Sequence, residues 1–220
     1  MSVKTIDLKG LAPRQANHKI KAAAARNKLL KLINPDSINY LAAGLTGKVE
    51  IVVEGDLGYY AGTMIDGPSI RVNGRCGWYP ADNMTSGEFI MAGDGGDGTG
   101  QGLYGGSLVV HGDTNSRTGQ IMKAGTIIIG GNTGFMTGLY MMGGQIIVAG
   151  DLGESAGESI IGGVIYFGGK LKSQGKNTLV SDVSADEEKT INALFKKYGI
   201  MKRQGRFRKI TPEYGRPVYG

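Results

Sequence analysis

Apolar residues in this chain come in pairs separated by one position, and the pairs return every 19 residues. Ile51 and Val53, Ile70 and Val72, Phe89 and Met91, Leu108 and Val110, Ile127 and Ile129, Ile146 and Val148, and Ile165 and Phe167 form the series. Each pair stands four and two residues before a glycine, at positions 55, 74, 93, 112, 131, 150 and 169. Period-two alternation puts both side chains of a pair on one face of a short strand. The glycine then permits a turn. Asp56, Asp94, Asp113, Asn132 and Asp151 follow it in five of the seven cases. These residue types favour turns by bonding to nearby backbone.

The remainder of each unit repeats as well. Gly58, Gly77, Gly96, Gly134 and Gly153 come three residues after the anchor, and Gly62, Gly100, Gly119, Gly138 and Gly157 come seven after. Ten residues after the anchor the occupant is apolar: Ile65, Met84, Leu103, Met122, Met141 or Ile160. A fixed period of this length is the signature of a solenoid, in which no coil is stable alone and stacking supplies the core. The prediction is a single-stranded right-handed parallel β-helix of about seven 19-residue coils over residues 47–175. At the spacing of paired strands the rod is roughly 34 Å long. The methionines read as core filling, because Met fills irregular gaps. A left-handed hexapeptide helix needs a coil divisible by six. The calcium-binding nonapeptide is matched once, around Gly93 to Gly100, and not in tandem.

Both ends depart from the repeat. Residues 1–46 carry a net charge of +6, residues 47–169 carry −7, and residues 200–220 carry +5, within a chain of net charge +6. The large body is therefore acidic, which argues against nucleic acid as the partner. Basic ends fit an acidic protein surface, another copy of this chain, or the chain's own rod. A basic helix is expected from about Asn17 to Ile33, ending at Asn34-Pro35. A second helix is expected after Ser184. There Ser184 and Glu187 form a capping box, and Ile191, Leu194, Phe195 and Tyr198 make one apolar face. Gly199 is the expected stop. Residues 176–220 are read as this capping or flanking helix followed by a basic tail. The tail is expected to be an extended arm containing Arg203, Arg206, Phe207, Arg208, Tyr214 and Tyr219.

Catalytic chemistry is scarce. No apolar run is long enough to span a membrane. The N-terminus lacks a signal-peptide core, and a single cysteine, Cys76, fits a cytoplasmic chain. His18 and His111 have no partner at metal-ligand spacing. Gly153-Glu-Ser155-Ala-Gly157 matches the nucleophile elbow of esterases, but its glycines belong to the coil period. A self-standing hydrolase using Ser155 is the outlying alternative. A pectinase-like groove is disfavoured because the acids sit in a turn column. No catalytic, cofactor-binding or metal-ligating residue is assigned in this chain.

The pattern Gly55-Asp-Leu-Gly58-Tyr-Tyr-Ala-Gly62, repeated at Gly131 to Gly138 and Gly150 to Gly157, resembles the GXGXG family. That family includes the C-terminal domain of the glutamate synthase large subunit and one of the subunits of formylmethanofuran dehydrogenase. Asp82-Asn-Met-Thr-Ser-Gly and Met122-Lys-Ala-Gly look more like the glutamate synthase branch, in its stand-alone subunit form. The resemblance implies a non-catalytic scaffold bridging a class-II glutamine amidotransferase subunit and a synthase subunit. FMN and an iron–sulfur cluster would then reside in the partner. The alternative it implies is a subunit of a formylmethanofuran dehydrogenase-type complex.

Overall fold

A computed structural model describes residues 3–201 and 205–215. Strands β1 (Lys4–Asp7), β2 (Leu29–Ile33), β3 (Glu50–Glu54), β4 (Asp66–Val72), β5 (Ser86–Met91), β6 (Ser107–Val110), β7 (Thr126–Ile129), β8 (Gln145–Val148) and β9 (Val164–Phe167) stack in parallel in chain order. The chain is a parallel β-solenoid, as the period predicts. From β3 to β9 the register is the 19-residue step: Ile51 faces Ile70, Phe89 faces Leu108, and Ile146 faces Ile165. The pairs at minus four and minus two thus become two inward columns, and Val53, Val72, Val110, Ile129, Val148 and Phe167 are all fully buried. The ten-after residues complete the core, with Met84, Met122 and Met141 fully buried.

The N-terminal end differs from the sequence expectation. Helix α1 runs Pro13–Ala24, and β2 replaces the second half of the expected helix. Leu30 and Leu32 in β2 alternate inward and pair with Ile51 and Val53, so this coil is longer than 19 residues. The alanine run made helix attractive, but the alternation in Leu29–Ile33 buries more apolar surface as a strand. Helix α1 starts at Pro13, whose missing N–H is no loss in the first turn. Ala16 and Ile20 are fully buried in the main core with Leu8, so α1 closes the N-terminal end of the rod. Asn17 ties it there, donating to the Tyr40 carbonyl at 2.7 Å and accepting from the Ala42 amide at 2.7 Å.

At the other end β10 (Thr178–Asp182) leads into α2 (Ala185–Tyr198), and β11 (Arg208–Pro212) closes the sheet. The expected capping box forms: Ser184 Oγ accepts the Glu187 amide and Glu187 Oε2 accepts the Ser184 amide. Gly199 adopts the left-handed cap at φ 67°. Helix α2 lies along the outer face of the sheet. Ile191, Phe195 and Tyr198 pack on Ile90, Val109, Ile128, Ile147 and Tyr166, the middle residues of β5 to β9. The lengths match: 14 residues of helix span about 21 Å, and five parallel strands span about 19 Å. The tail contains a strand: β11 inserts antiparallel between β9 and β10, burying Phe207 and Ile210. It covers the backbone edge that a solenoid must protect. The expected tail residues Arg203 and Tyr219 lie outside the described residues.

Candidate functional site

The turn after each strand builds a ladder of side chain to backbone bonds. Asp94 Oδ1 accepts the Asp113 amide at 2.8 Å, Asp113 Oδ1 the Asn132 amide at 2.6 Å, Asn132 Oδ1 the Asp151 amide at 3.0 Å, and Asp151 Oδ1 the Lys170 amide at 2.7 Å. Asp56 starts the column by accepting from Arg75, through both the amide at 2.8 Å and the guanidinium at 3.0 Å. These contacts with Arg75 hold the Asp56 carboxyl below its ordinary range. A shallow groove of about 460 Å³ lies over Asp56, Arg75, Asp94 and Asp113, with Cys76 beneath it. Burial pushes the Cys76 thiol up, so it is a poor nucleophile. The acidic column is therefore turn structure, with each carboxylate or amide oxygen engaged by the next coil.

The isolated reactive residues do not come together. Ser155 sits on a coil corner at φ 54°, not on a strand-to-helix elbow, and its backbone amide donates to Ser173 Oγ at 2.9 Å. Among the described residues no hydrogen bond links it to a histidine. His111 is partly buried, and desolvation with the nearby Arg71 lowers its pKa. Among the described residues no group of three or more His, Cys, Asp or Glu side chains stands close enough to hold a metal ion. No helix among them is long and apolar enough to cross a membrane.

Two surfaces stand out instead, both at the N-terminal end. The first is an aromatic corner. Tyr40 stacks on Tyr60 with ring centroids 5.3 Å apart and planes 2° from parallel, and Tyr60 stacks on Tyr79 at 4.9 Å and 15°. Beside them Tyr59 stacks on Trp78 at 4.8 Å and 8°. Tyr40, Tyr59 and Trp78 are exposed. Sequence reasoning missed this corner. The signal was there: Tyr59-Tyr60 and Trp78-Tyr79 occupy the fourth and fifth positions after two successive anchor glycines, so coil stacking must superpose them. The second surface is a basic cleft of about 430 Å³ between the end of α1 and the loop before β3, lined in part by Lys21 and Lys48. It continues past Lys48 into a smaller hollow bordered by Lys28, Glu50 and Ser69.

No family model matches the chain, and no curated protein matches it. Among solved structures it is similar to a chain in the formyltransferase/hydrolase complex (FhcABCD) from Methylorubrum extorquens, solved in complex with methylofuran. The TM-score is 0.67 at 22% identity, and the match covers 90% of this chain and 85% of that chain. That likeness shows a shared solenoid fold.

Proposed function

We propose that this chain is a non-catalytic β-helical subunit of a multi-subunit complex of the formyltransferase/hydrolase or formylmethanofuran dehydrogenase type. The observation that supports it most is the extent of the fold match: nine-tenths of the chain superposes on a component of such a complex. A likeness confined to the coils would reflect the period alone, whereas this one takes in most of the terminal additions too. The chemistry agrees with the reading. The one nucleophile-like serine has no hydrogen bond to a histidine among the described residues, the cysteine is buried, and the acids of the turn column serve as backbone acceptors. Catalysis would belong to partner subunits.

The motifs around Gly55 and Met122 favour a second reading within the same class. In that reading the chain is a scaffold between an amidotransferase and a flavin- and iron–sulfur-containing synthase subunit. One experiment separates the two. The tagged chain is purified from its own cells at low salt, its companions are identified by mass, and the assembly is assayed for formyl-group transfer or hydrolysis and for glutamine-dependent glutamate formation. Formyl-group chemistry in the assembly, absent from the isolated chain, is expected. Glutamate formation would reassign the complex. Recovery of the chain without companions would overturn the subunit reading in both forms.

A further inference from the structure

Part of the positive charge at each end of the rod is paired within the chain. At the C-terminal end three lysines are ion-paired within the chain. Lys209 Nζ reaches Glu187 at 2.7 Å, Lys197 Nζ reaches Glu88 at 2.8 Å, and Lys172 Nζ reaches Glu154 at 2.8 Å. At the N-terminal end Lys31 is paired, with Glu54 at 3.0 Å. Lys21, Arg26, Lys28 and Lys48 are exposed, and none makes an ion pair among the described residues. Three of these cations, Lys21, Lys28 and Lys48, line the cleft and its extension, where Glu50 is the carboxylate at the rim. Like charges gathered in this way repel, and an opposite charge from outside relieves the repulsion.

Helix α1 links the aromatic corner to this cleft. Asn17 of α1 is bonded to the backbone at Tyr40 and Ala42, and Lys21 and Ala24 of the same helix line the cleft. From Asn17 to Ala24 the helix advances about 10 Å. The N-terminal end therefore carries exposed Tyr and Trp beside one part of α1 and, about two turns along it, Lys with no ion pair among the described residues. Aromatic residues and charge complementarity are the ingredients of protein interfaces. Tyr40, Tyr60 and Tyr79 take left-handed backbone angles of 57°, 57° and 59°, unusual for large side chains. The rings of Tyr40, Tyr60 and Tyr79 cover one another's inner faces, and Gly98 closes against the ring of Tyr79, so within this stack neither Tyr60 nor Tyr79 offers a base a free face. Ring edges and hydroxyls suit a protein surface better than single-stranded nucleic acid.

We propose that the N-terminal end of the rod docks an acidic partner protein: the stacked corner meets the partner's apolar centre, and the Lys21, Lys28 and Lys48 cleft receives its carboxylates. This rests on the subunit reading above. The test uses the complex purified from its own cells. Zero-length carbodiimide cross-linking, read by mass spectrometry, is expected to join Lys21, Lys28 or Lys48 to Asp or Glu of a partner chain. The triple variant Lys21→Glu/Lys28→Glu/Lys48→Glu is expected to cut partner recovery at least tenfold at moderate salt. Tyr59→Ala/Trp78→Ala is expected to do the same with little salt dependence. Unchanged melting of each isolated variant checks that it folds.

Several results overturn the proposal. Full partner recovery by both variants sinks the docking surface and leaves the subunit reading standing. Cross-links from these lysines only to a second copy of this chain, or tight binding of a dT20 probe with partner recovery intact, assign the cleft to another occupant. If no partner is recovered with the unmodified chain, both the surface and the subunit reading fall.

Discussion

The ring of Phe195 in α2 meets the edge of Phe207 in the C-terminal tail at 5.7 Å between centroids, with the planes at 70°. Both rings are almost fully buried, at 2% and 1% exposure. This contact joins three elements: the helix, the strand that follows it, and the outer face of the sheet. Phe207→Ala is expected to cost about 3–5 kcal/mol through lost burial and the cavity left behind. For a chain of this length that lowers the melting temperature by roughly 10 °C. Phe195→Ala should cost about the same. The double variant should cost less than the sum, because both changes empty one cluster. Thermal denaturation followed by circular dichroism reads all three.

Glu187 is the electrostatic counterpart of that contact. Its carboxylate accepts from Lys209 Nζ at 2.7 and 2.9 Å and from the Tyr166 hydroxyl at 3.1 Å. These bonds together with the Ser184 amide, Lys209 first and Ser184 next, hold its pKa at about 2 against an ordinary 4.5, while burial and Glu187 push Tyr166 up to about 12. A depressed carboxylate pKa contributes stability that is complete above the unfolded value and is lost as pH falls through the folded one. The contribution should therefore fade between about pH 4.5 and pH 2. Glu88, lowered chiefly by Lys197, adds in the same direction. Glu187→Gln is expected to lose about 1–2 kcal/mol at pH 7, the scale of a charge-assisted bond. Urea midpoints of the two proteins should converge as the pH is lowered to 3.

Gly138 and Gly199 share nearly the same backbone angle, φ 72° and 67°, but not the same space. A Cβ at Gly138 would stand 2.5 Å from Ile165 Cδ1, whose residue is fully buried and has nowhere to move. A Cβ at Gly199 would meet nothing within 4 Å. Gly199→Ala then pays only for the left-handed angle, about 1 kcal/mol. Gly138→Ala adds overpacking to that, for a total of about 2–4 kcal/mol. Similar losses in the two variants would show that conformation alone places glycine in the coils.

The coils were legible because a fixed step in sequence becomes a fixed step in space. Once Ile51 and Ile70 are taken as neighbours, every later pair follows. The outer apolar row was legible in principle: Ile90, Val109, Ile128 and Ile147 interrupt the alternation in successive coils. They announce a covered outer face and hence the place of α2. The N-terminal coil was not legible from the period, because its step from Leu30 to Ile51 is 21 residues and a run of alanines precedes it. Strand β11 was hidden for a different reason. It pairs antiparallel and out of chain order, so no repeat position predicts it. The aromatic corner could have been read from its spacing. The basic cleft depends on how α1 crosses the end of the rod, which only the fold reveals.

The turn ladder offers a test of register that does not involve the core. Asp113 Oδ1 accepts the Asn132 amide at 2.6 Å, and Asp113's own amide donates to Asp94 at 2.8 Å. Asp113 is exposed, so water can replace the lost acceptor and the global cost of Asp113→Ala should stay within about 1 kcal/mol. The local effect should be larger. The Asn132 amide loses its partner, and its hydrogen exchange should speed up several-fold, while the Asp151 amide, held by Asn132 Oδ1, should change little. Asp113→Asn keeps the acceptor oxygen and should restore slow exchange, as Asn132 does naturally in the next coil. Fast exchange in Asp113→Asn as well would mean that negative charge, not the oxygen, holds the turn. Uniformly faster exchange along the column would mean that the coils open as one unit.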